Sequence, residues 1–404
     1  MNKILFVSDI HLGLVSDLVD RTQETIRVIK KDEAIRANKL VDKGHDVDIV
    51  FGGDIFHKNT PSESSIASFI QIINMFSTFK CNLYIMSGNH DSVSDPKRLS
   101  CLSFIKKLSE MYNYVSLIDD IKAIKYKTTD AGQFVLVFLP HINNAHLEKH
   151  KEYKTTQSYI NKRTEKLYEK LGNGTPTIVF THLDIKGAIA GDEANLLMKS
   201  TVSLPECIID NENCKILPTI VSGHLHKQST LGNINIIGSP IYTDFSDCDL
   251  VDKYIAEITL PTDIRGVPTI NLHKTHCNNF IQITIDLHKK TGDITKDILE
   301  IISKKINKVI TTSFLKIDLA ISSSSLSVIN LSKIEDSIKV KYGYNVKKIT
   351  PKVIRMNRNK RNKELKIGLK PIESFKIFLN SDKSLKSKER IEIMSYTEKY
   401  FEQM

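Results

Sequence analysis

The chain of 404 residues is bounded first by what it lacks. No apolar run approaches the ~20 residues that a membrane-spanning helix requires, which excludes a helical membrane protein. The six cysteines, Cys81, Cys101, Cys207, Cys214, Cys248 and Cys277, form no C-x-x-C pair and no regular spacing. That excludes a disulfide scaffold and a cysteine-bound structural zinc, and the thiols are expected to be reduced in a cytoplasmic protein. The first residues run straight into a strand pattern, so no signal peptide is expected. No G-x-x-x-x-G-K-[ST] loop is present, and any ATP-driven step must come from another chain. There is no internal repeat and no zinc-finger spacing. Tryptophan is absent while Asn, Lys and Ile are abundant; this suggests an AT-rich genome and says nothing of mechanism. Acidic residues are in deficit, 47 Asp and Glu against 57 Lys and Arg, for a formal net charge of +10. An anionic partner is favoured, although charge alone is weak support, since many basic proteins bind no nucleic acid.

A hydrophobic content of 41% supports a substantial core, and the length suits two or three domains. Five short segments then carry Asp, Asn and His: Asp9-Ile10-His11, Gly53-Asp54, Gly88-Asn89-His90-Asp91, Thr181-His182 and Gly223-His224-Leu225-His226. Each follows a short apolar run that reads as a strand, at residues 4–7, 47–51, 83–86, 177–180 and 219–221. In an open α/β sheet, ligands bind beyond the carboxyl ends of the strands, so segments far apart in sequence can meet at one edge.

These residue types in this arrangement point to two-metal phosphoester chemistry. Two divalent ions about 3.5–4 Å apart generate hydroxide at neutral pH and neutralise charge on the phosphoryl oxygens. Holding them that close requires an anionic bridge, for which Asp54 is the natural candidate. Carboxylate oxygen suits hard cations such as manganese, and imidazole suits iron and other transition metals. Asp9, His11, Asp54, Asn89, His182, His224 and His226 make such a mixed donor set. Outside the five segments, His141 reads as structural. His146 and His150 read as one solvated helical face, and the pair Asp192 and Glu193 as solvated or capping.

The five segments resemble the signature of calcineurin-like metallophosphoesterases. Gly53-Asp54-Ile55-Phe56-His57, and Gly238-Ser239-Pro240 followed by Thr243-Asp244-Phe245, are similar to the SbcD-type DNA double-strand-break repair nucleases, which include phage recombination nuclease subunits. The resemblance covers about residues 1–258 and is weak beyond. It implies a four-layer αββα nuclease domain that hydrolyses phosphodiester bonds in DNA repair, recombination or replication. One metal would be held by Asp9, His11, Asp54 and His226, the other by Asp54, Asn89, His182 and His224. The implied ions are manganese, with magnesium or iron as alternatives. His90 would act on the scissile phosphate or the leaving oxygen. His57 would help position the phosphate, and Asp91 would orient His90 or fix its loop.

Beyond residue 278 the periodicity changes to strand, helix, strand, helix, strand, and residues 278–356 are expected to form a small α/β domain. In the resembling family such a domain caps the cleft and binds DNA. Residues 351–370 carry eight Lys and Arg against the single acid Glu364. Within this block Arg358, Lys360, Arg361 and Lys363 either touch DNA phosphates or belong to a solvated linker over 357–370. Residues 371–404 suit two amphipathic helices, with Phe375, Phe378, Ile391 and Met394 as apolar anchors. The tail either packs on its own domain or, as the resemblance implies, docks onto an SbcC-type ABC ATPase subunit. Helices flanking Asn89, at residues 62–79 and 96–111, either bury against the sheet or form a homodimer.

Four functions compete. A DNA nuclease subunit accounts for the site, the charge and the appended segments. A small-substrate phosphodiesterase shares the site but leaves residues beyond 278 surplus. A protein phosphatase is disfavoured, because such enzymes carry Gly-Asp-X-Val-Asp-Arg-Gly where this chain has Gly53-Asp54-Ile55-Phe56-His57-Lys58. A non-catalytic DNA-end-binding subunit is disfavoured by the full donor set and His90. If the basic block touches DNA, replacing Arg358, Lys360, Arg361 and Lys363 by Ser should lower the slope of log K against log salt by a few units, at about 0.9 per phosphate. An unchanged slope in a salt titration of duplex binding would leave the block a linker.

Overall fold

A computed structural model describes residues 2–16, 19–79, 81–93, 95, 100–128, 132–148, 150–172, 175–186, 202–209, 217–245, 252–263, 266–287, 294–305, 314–321, 329–342, 345–353, 371–381 and 387–402. Arg358, Lys360, Arg361 and Lys363, the pair Asp192 and Glu193, and the expected linker at 357–370 lie outside the described residues.

Two six-stranded sheets form the body of the chain. In the first, the strands lie in the order Thr269–Lys274, Tyr254–Thr259, Asn2–Val7, Asp46–Phe51, Leu83–Met86 and Val115–Ile118. The last four run parallel, while Tyr254–Thr259 is antiparallel to both its neighbours. The second sheet has the order Ser229–Leu231, Ile234–Ile236, Thr219–Ser222, Thr177–Thr181, Gly132–Leu139 and Lys122–Thr128, with the four middle strands parallel.

Alternation along each strand sends side chains to opposite faces. In the first sheet Ile4, Phe6, Val50, Tyr84 and Met86 point one way and meet Phe134, Leu136, Phe138, Ile178, Phe180 and Val221 of the second. The alternate residues Leu5, Val7, Ile49, Phe51, Leu83 and Ile85 pack on the opposite face against Ile26, Ile29, Phe69, Ile72 and Phe76. On the outer face of the second sheet, Val135, Val137, Val179 and Ile220 pack with Tyr159 and Ile160. Both sheets are thus covered on both faces, which is why their strands read as continuous apolar runs. The layers are helix, sheet, sheet, helix, as the resemblance implied.

The helices refine the expected ones. The stretch between the Asp9 loop and strand Asp46–Phe51 is not one α-helix. It divides into Thr22–Val28, a π-helical stretch Ile29–Ala34, and Ile35–Asp42. Glu63–Phe76 is capped by Ser62, whose hydroxyl accepts from the Ser65 amide at 3.2 Å. Its buried face uses Phe69, Ile72, Ile73 and Phe76, while Ile70 is 37% exposed. The helix Thr156–Leu171 opens on a capping box of Thr155 and Ser158.

After residue 278, strands Phe280–Asp286, Phe314–Ile321 and Asn345–Val353 form a three-stranded sheet. Helices Ile294–Lys305 and Leu331–Tyr342 come between successive strands. By backbone contacts the chain divides into two compact units. The first is Met1–Ile283, Lys308–Lys316 and Ile338–Lys348, and the second is Thr284–Asn307, Ile317–Ser337 and Ile349–Met404. In the second unit, helices Pro371–Ser381 and Ser387–Glu402 pack on each other. Phe375 and Met394 are half-buried there, whereas Phe378 and Ile391 are 56% and 71% exposed.

The inter-sheet core should dominate stability. Phe138 stacks on Phe180 at 5.3 Å and lies 5.4 Å from Tyr84, fully buried. Phe138→Ala should cost about 3–5 kcal/mol in urea unfolding, the usual sum of lost transfer energy and cavity. A loss below about 1 kcal/mol would show that the layer closes over the void.

Candidate metal centre

The five segments meet at the carboxyl ends of the parallel strands, and the backbone there is strained. Among the described residues, the non-glycine positions with positive φ are Asp9, His11, Asp54 and His224, at 56°, 43°, 50° and 75°. Each is costly for an L-residue, by roughly 1–3 kcal/mol. The loops are held in place by each other. The Asp9 amide donates to the Gly53 carbonyl at 3.0 Å and the His11 amide to the Asp54 carbonyl at 3.1 Å. A β-carbon on Gly88 would stand 2.1 Å from Asp54 Oδ1, so only glycine lets these two loops approach.

Asp91 locks the third segment. Its buried carboxylate accepts from the amides of Ile55, Phe56 and Gly88 at 3.1, 3.0 and 2.9 Å. Of the two roles considered for it, loop fixing is the one these bonds perform. Asp9 ties the first segment to the fifth: its Oδ2 accepts from the His224 amide, 215 residues away, at 3.1 Å.

Within this frame the donors gather in two groups around Asp54. On one side, His182 Nε2 lies 3.3 Å from Asp54 Oδ1 and 3.2 Å from Asn89 Oδ1. His224 Nδ1 is 3.0 Å from the same Asn89 oxygen. On the other side, His11 Nε2 lies 3.8 Å from Asp54 Oδ2 and 3.0 Å from His226 Nε2. His226 Nε2 is in turn 3.9 Å from Asp9 Oδ1. Asp9, His11 and His226, and separately Asp9, Asp54 and His182, place donor atoms within 4.8 Å of one another.

Three observations fit this set to metal ions. Asp9 Oδ1 is buried with no hydrogen-bond partner, and an unpartnered buried carboxylate oxygen is expensive without a cation. The facing nitrogens of His11 and His226 repel through their lone pairs unless a proton or cation lies between them. Burial holds the His11 imidazole well below its usual pKa, towards the neutral form that coordinates. Three of the remaining ring nitrogens have partners of the kind that orient metal-bound histidines, while His11 Nδ1 is buried without one. His182 Nδ1 donates to the Gly52 carbonyl at 2.7 Å and His224 Nε2 to Asp184 Oδ1 at 2.7 Å. His226 Nδ1 pairs with the Thr243 hydroxyl at 3.2 Å.

Charge at the centre is concentrated on Asp54. Burial opposes its ionisation, but His182, His11 and His90 outweigh that and hold the carboxyl well below the usual range. Burial likewise disfavours a charged His182, yet Asp54, Asp9 and the Gly52 carbonyl push its imidazole up to about 9. A divalent cation would take the place of that proton.

His90 lies beside the donors, with a ring nitrogen within 4.8 Å of ring nitrogens of His11 and His57. Its amide donates to Asp54 Oδ1 at 2.8 Å, and its Nδ1 donates to the His57 carbonyl at 2.7 Å. That leaves Nε2 free on a side chain 38% exposed, 4.0 Å from Asp54 Oδ2. His57 stacks on His90 with ring centroids 5.6 Å apart.

One residue near the centre, Asp184, escaped the sequence reading. Asp184 follows His182 by two, on the same side of an extended chain, but a single carboxylate there carries no signal until His224 is seen against it. His141 follows its strand through Pro140, and its amide donates to the Ser87 carbonyl at 3.0 Å. Burial, then the neighbouring His182 and His224, bring it down to about 4. Behind the fifth segment, buried Lys253 donates to the His226 carbonyl and the Ser239 hydroxyl, both at 3.0 Å.

Residues 2–228, more than half of the chain, match the calcineurin-like phosphoesterases, and the chain belongs to that family. The DNA double-strand break repair protein Mre11 of Nanoarchaeum equitans (strain Kin4-M) is 37% identical over 89 residues, which is 22% of this chain and 23% of that protein. The match therefore spans less than a quarter of that relative's length. A Staphylococcus aureus protein described as a 5'-nucleotidase, solved in complex with alpha-ketoglutarate, aligns with 75% of this chain and 58% of its own at a TM-score of 0.37 and 12% identity. The structure of TT1561 of Thermus thermophilus aligns with 67% of this chain and 98% of its own, also at 0.37 and 12%.

Removing the partner of His224 should weaken metal uptake without touching a donor. Asp184→Ala is expected to lower affinity for divalent metal by about 10–100-fold, read by calorimetric titration of the metal-stripped chain. Asp184→Asn keeps an acceptor and should lose less. Equal affinity in all three proteins would deny Asp184 this role.

Proposed function

We propose that the chain is a dinuclear-metal-dependent DNA nuclease acting at DNA ends, the catalytic subunit of a repair complex whose ATPase is a separate chain. One observation carries the metal assignment: the two oxygens of Asp54 face separate groups of donors. Asp9, His11, Asp54 and His226 would hold one ion, and Asp54, Asn89, His182 and His224 the other. The mixed oxygen and nitrogen donors suit manganese. When bound, such a pair supplies hydroxide at neutral pH and neutralises phosphoryl charge.

The chain's own residues do the rest. The His57 carbonyl accepts from His90 Nδ1–H, so that Nε2 faces the open side, where it would take up a proton from water and, as imidazolium, give it to the leaving oxygen. His57, beside it, helps seat the phosphate. Asp91 keeps the loops of Asp54 and His90 in register. DNA is favoured over a small phosphodiester by the partial similarity to Mre11 and by the net charge of +10. The exposed Phe378 and Ile391, with Phe375 and Met394 beside them, suit docking of the tail onto an SbcC-type ATPase. Ile70 on Glu63–Phe76 and Met111 on Ser103–Met111 are exposed; they would contribute to a homodimer through the helices flanking Asn89.

The test uses the full chain, labelled linear duplex DNA and manganese, with bis-p-nitrophenyl phosphate as a small-substrate control. Metal-dependent cleavage of DNA is expected. Asp54→Asn should lose both metal and activity. His90→Asn should keep its metal yet lose roughly 100-fold or more in rate. Turnover of the small ester with intact DNA would sink the nuclease reading, and loss of metal in His90→Asn would move His90 among the ligands.

A further inference from the structure

His146 and His150 do not form the solvated helical face expected of them. The helix that carries His146 is only Asn144–Leu147, and His150 lies in the turn beyond it. Both rings turn towards Tyr159 of Thr156–Leu171, with centroids 5.4 and 4.8 Å from it, and they stack on each other at 5.2 Å. Asp120, from the turn after Val115–Ile118, completes the group. Its Oδ1 lies 3.5 Å from His146 Nε2. Asp120, His146 and His150 place one donor atom each within 4.8 Å of one another. All three are partly buried, with side chains 33%, 20% and 31% exposed.

We propose that Asp120, His146 and His150 form a further metal site, separate from the centre around Asp54 and selective for a zinc-type transition ion. Two imidazoles and one carboxylate are a common zinc set, with a fourth position left to water. Ligands bonded at ~2.0–2.1 Å stand about 3.3 Å apart at the tetrahedral angle, close to the Asp120 to His146 separation. The Tyr159 hydroxyl donates to Asp120 Oδ1 at 2.7 Å and lies 3.4 Å from His146 Nε2, so Asp120 Oδ1 now takes a proton where it would take a cation. Arg163 sits 3.8 Å from the other oxygen, Oδ2, on a side chain 43% exposed, where water screens it.

The ion would be structural, tying elements whose backbone contacts are few. Asn143 caps the His146 helix, its Oδ1 accepting from the His146 amide at 3.0 Å, and its side-chain amide donates to the Val93 carbonyl at 2.6 Å. Val93 lies in the loop that follows His90. Metal at Asp120 would thus brace that loop from behind without touching it.

The test is a titration of the metal-stripped full chain with zinc against a chromophoric competitor. The double variant His146→Asn/His150→Asn should lose one equivalent of zinc relative to the unaltered chain. Asp54→Asn should keep that equivalent while losing those of the other centre, so failure of the dinuclear reading and failure of this one are distinguishable. Equal zinc uptake in the double variant and the unaltered chain overturns the proposal. A second measurement needs no variant: zinc should protect His146 and His150 of the unaltered chain from diethyl pyrocarbonate, followed by peptide mass. Unchanged modification of both residues with zinc present overturns the proposal even if the double variant fails to fold.

Discussion

The buried carboxylate of Asp54 sets the terms for everything around it. A charge held away from water must be answered by opposite charge or by donors, and here the answers come from every side. His182 and His11 approach its oxygens, the His90 amide donates to it, and Gly88 is bare so that its loop can close in. The sheets position these groups, because strands that run parallel end together and deliver their loops to one edge. The inter-sheet core of Phe6, Phe138 and Phe180 fixes the spacing between the two edges, and so the distance from the Asp9 loop to the His224 loop. Packing far from the chemistry thereby decides whether the donors converge.

Much of this was legible in the chain. Five apolar runs, each followed by Asp, Asn or His, are a local pattern, and the structure turns each run into a buried strand with its donors at the carboxyl end. The four-layer arrangement was implied by the family resemblance, and the strands, apolar throughout, are covered on both faces in keeping with it. What escaped was non-local or a matter of phase. Asp184 acquires a role only once His224 is folded against it. His146 and His150 were misplaced because a helical period was extended past Leu147, and because Asp120, from an earlier turn, is invisible to any window around them. The π-helical stretch at Ile29–Ala34 adds a residue to the turn that no apolar spacing announces.

On the proposed function, the centre also separates holding from acting. His182, His224 and His226 each have one ring nitrogen engaged by the surrounding protein and one facing inward, which makes them rigid donors. His90 is oriented in the same way, by the His57 carbonyl, but its free nitrogen faces the open side. One device, a protein oxygen on the far nitrogen, serves both purposes, and the direction of the ring distinguishes them.

The left-handed backbone at Asp9, His11, Asp54 and His224 has a consequence for descent. At each, the fold tolerates a conformation that glycine or asparagine would adopt with less strain, and only the chemistry of the side chain argues for keeping Asp or His. A lineage that kept this fold but no longer needed the centre would therefore gain stability by drifting at these four positions. Glycine or asparagine appearing there, with the strands behind them unchanged, would mark a copy released from catalysis well before its core had begun to decay.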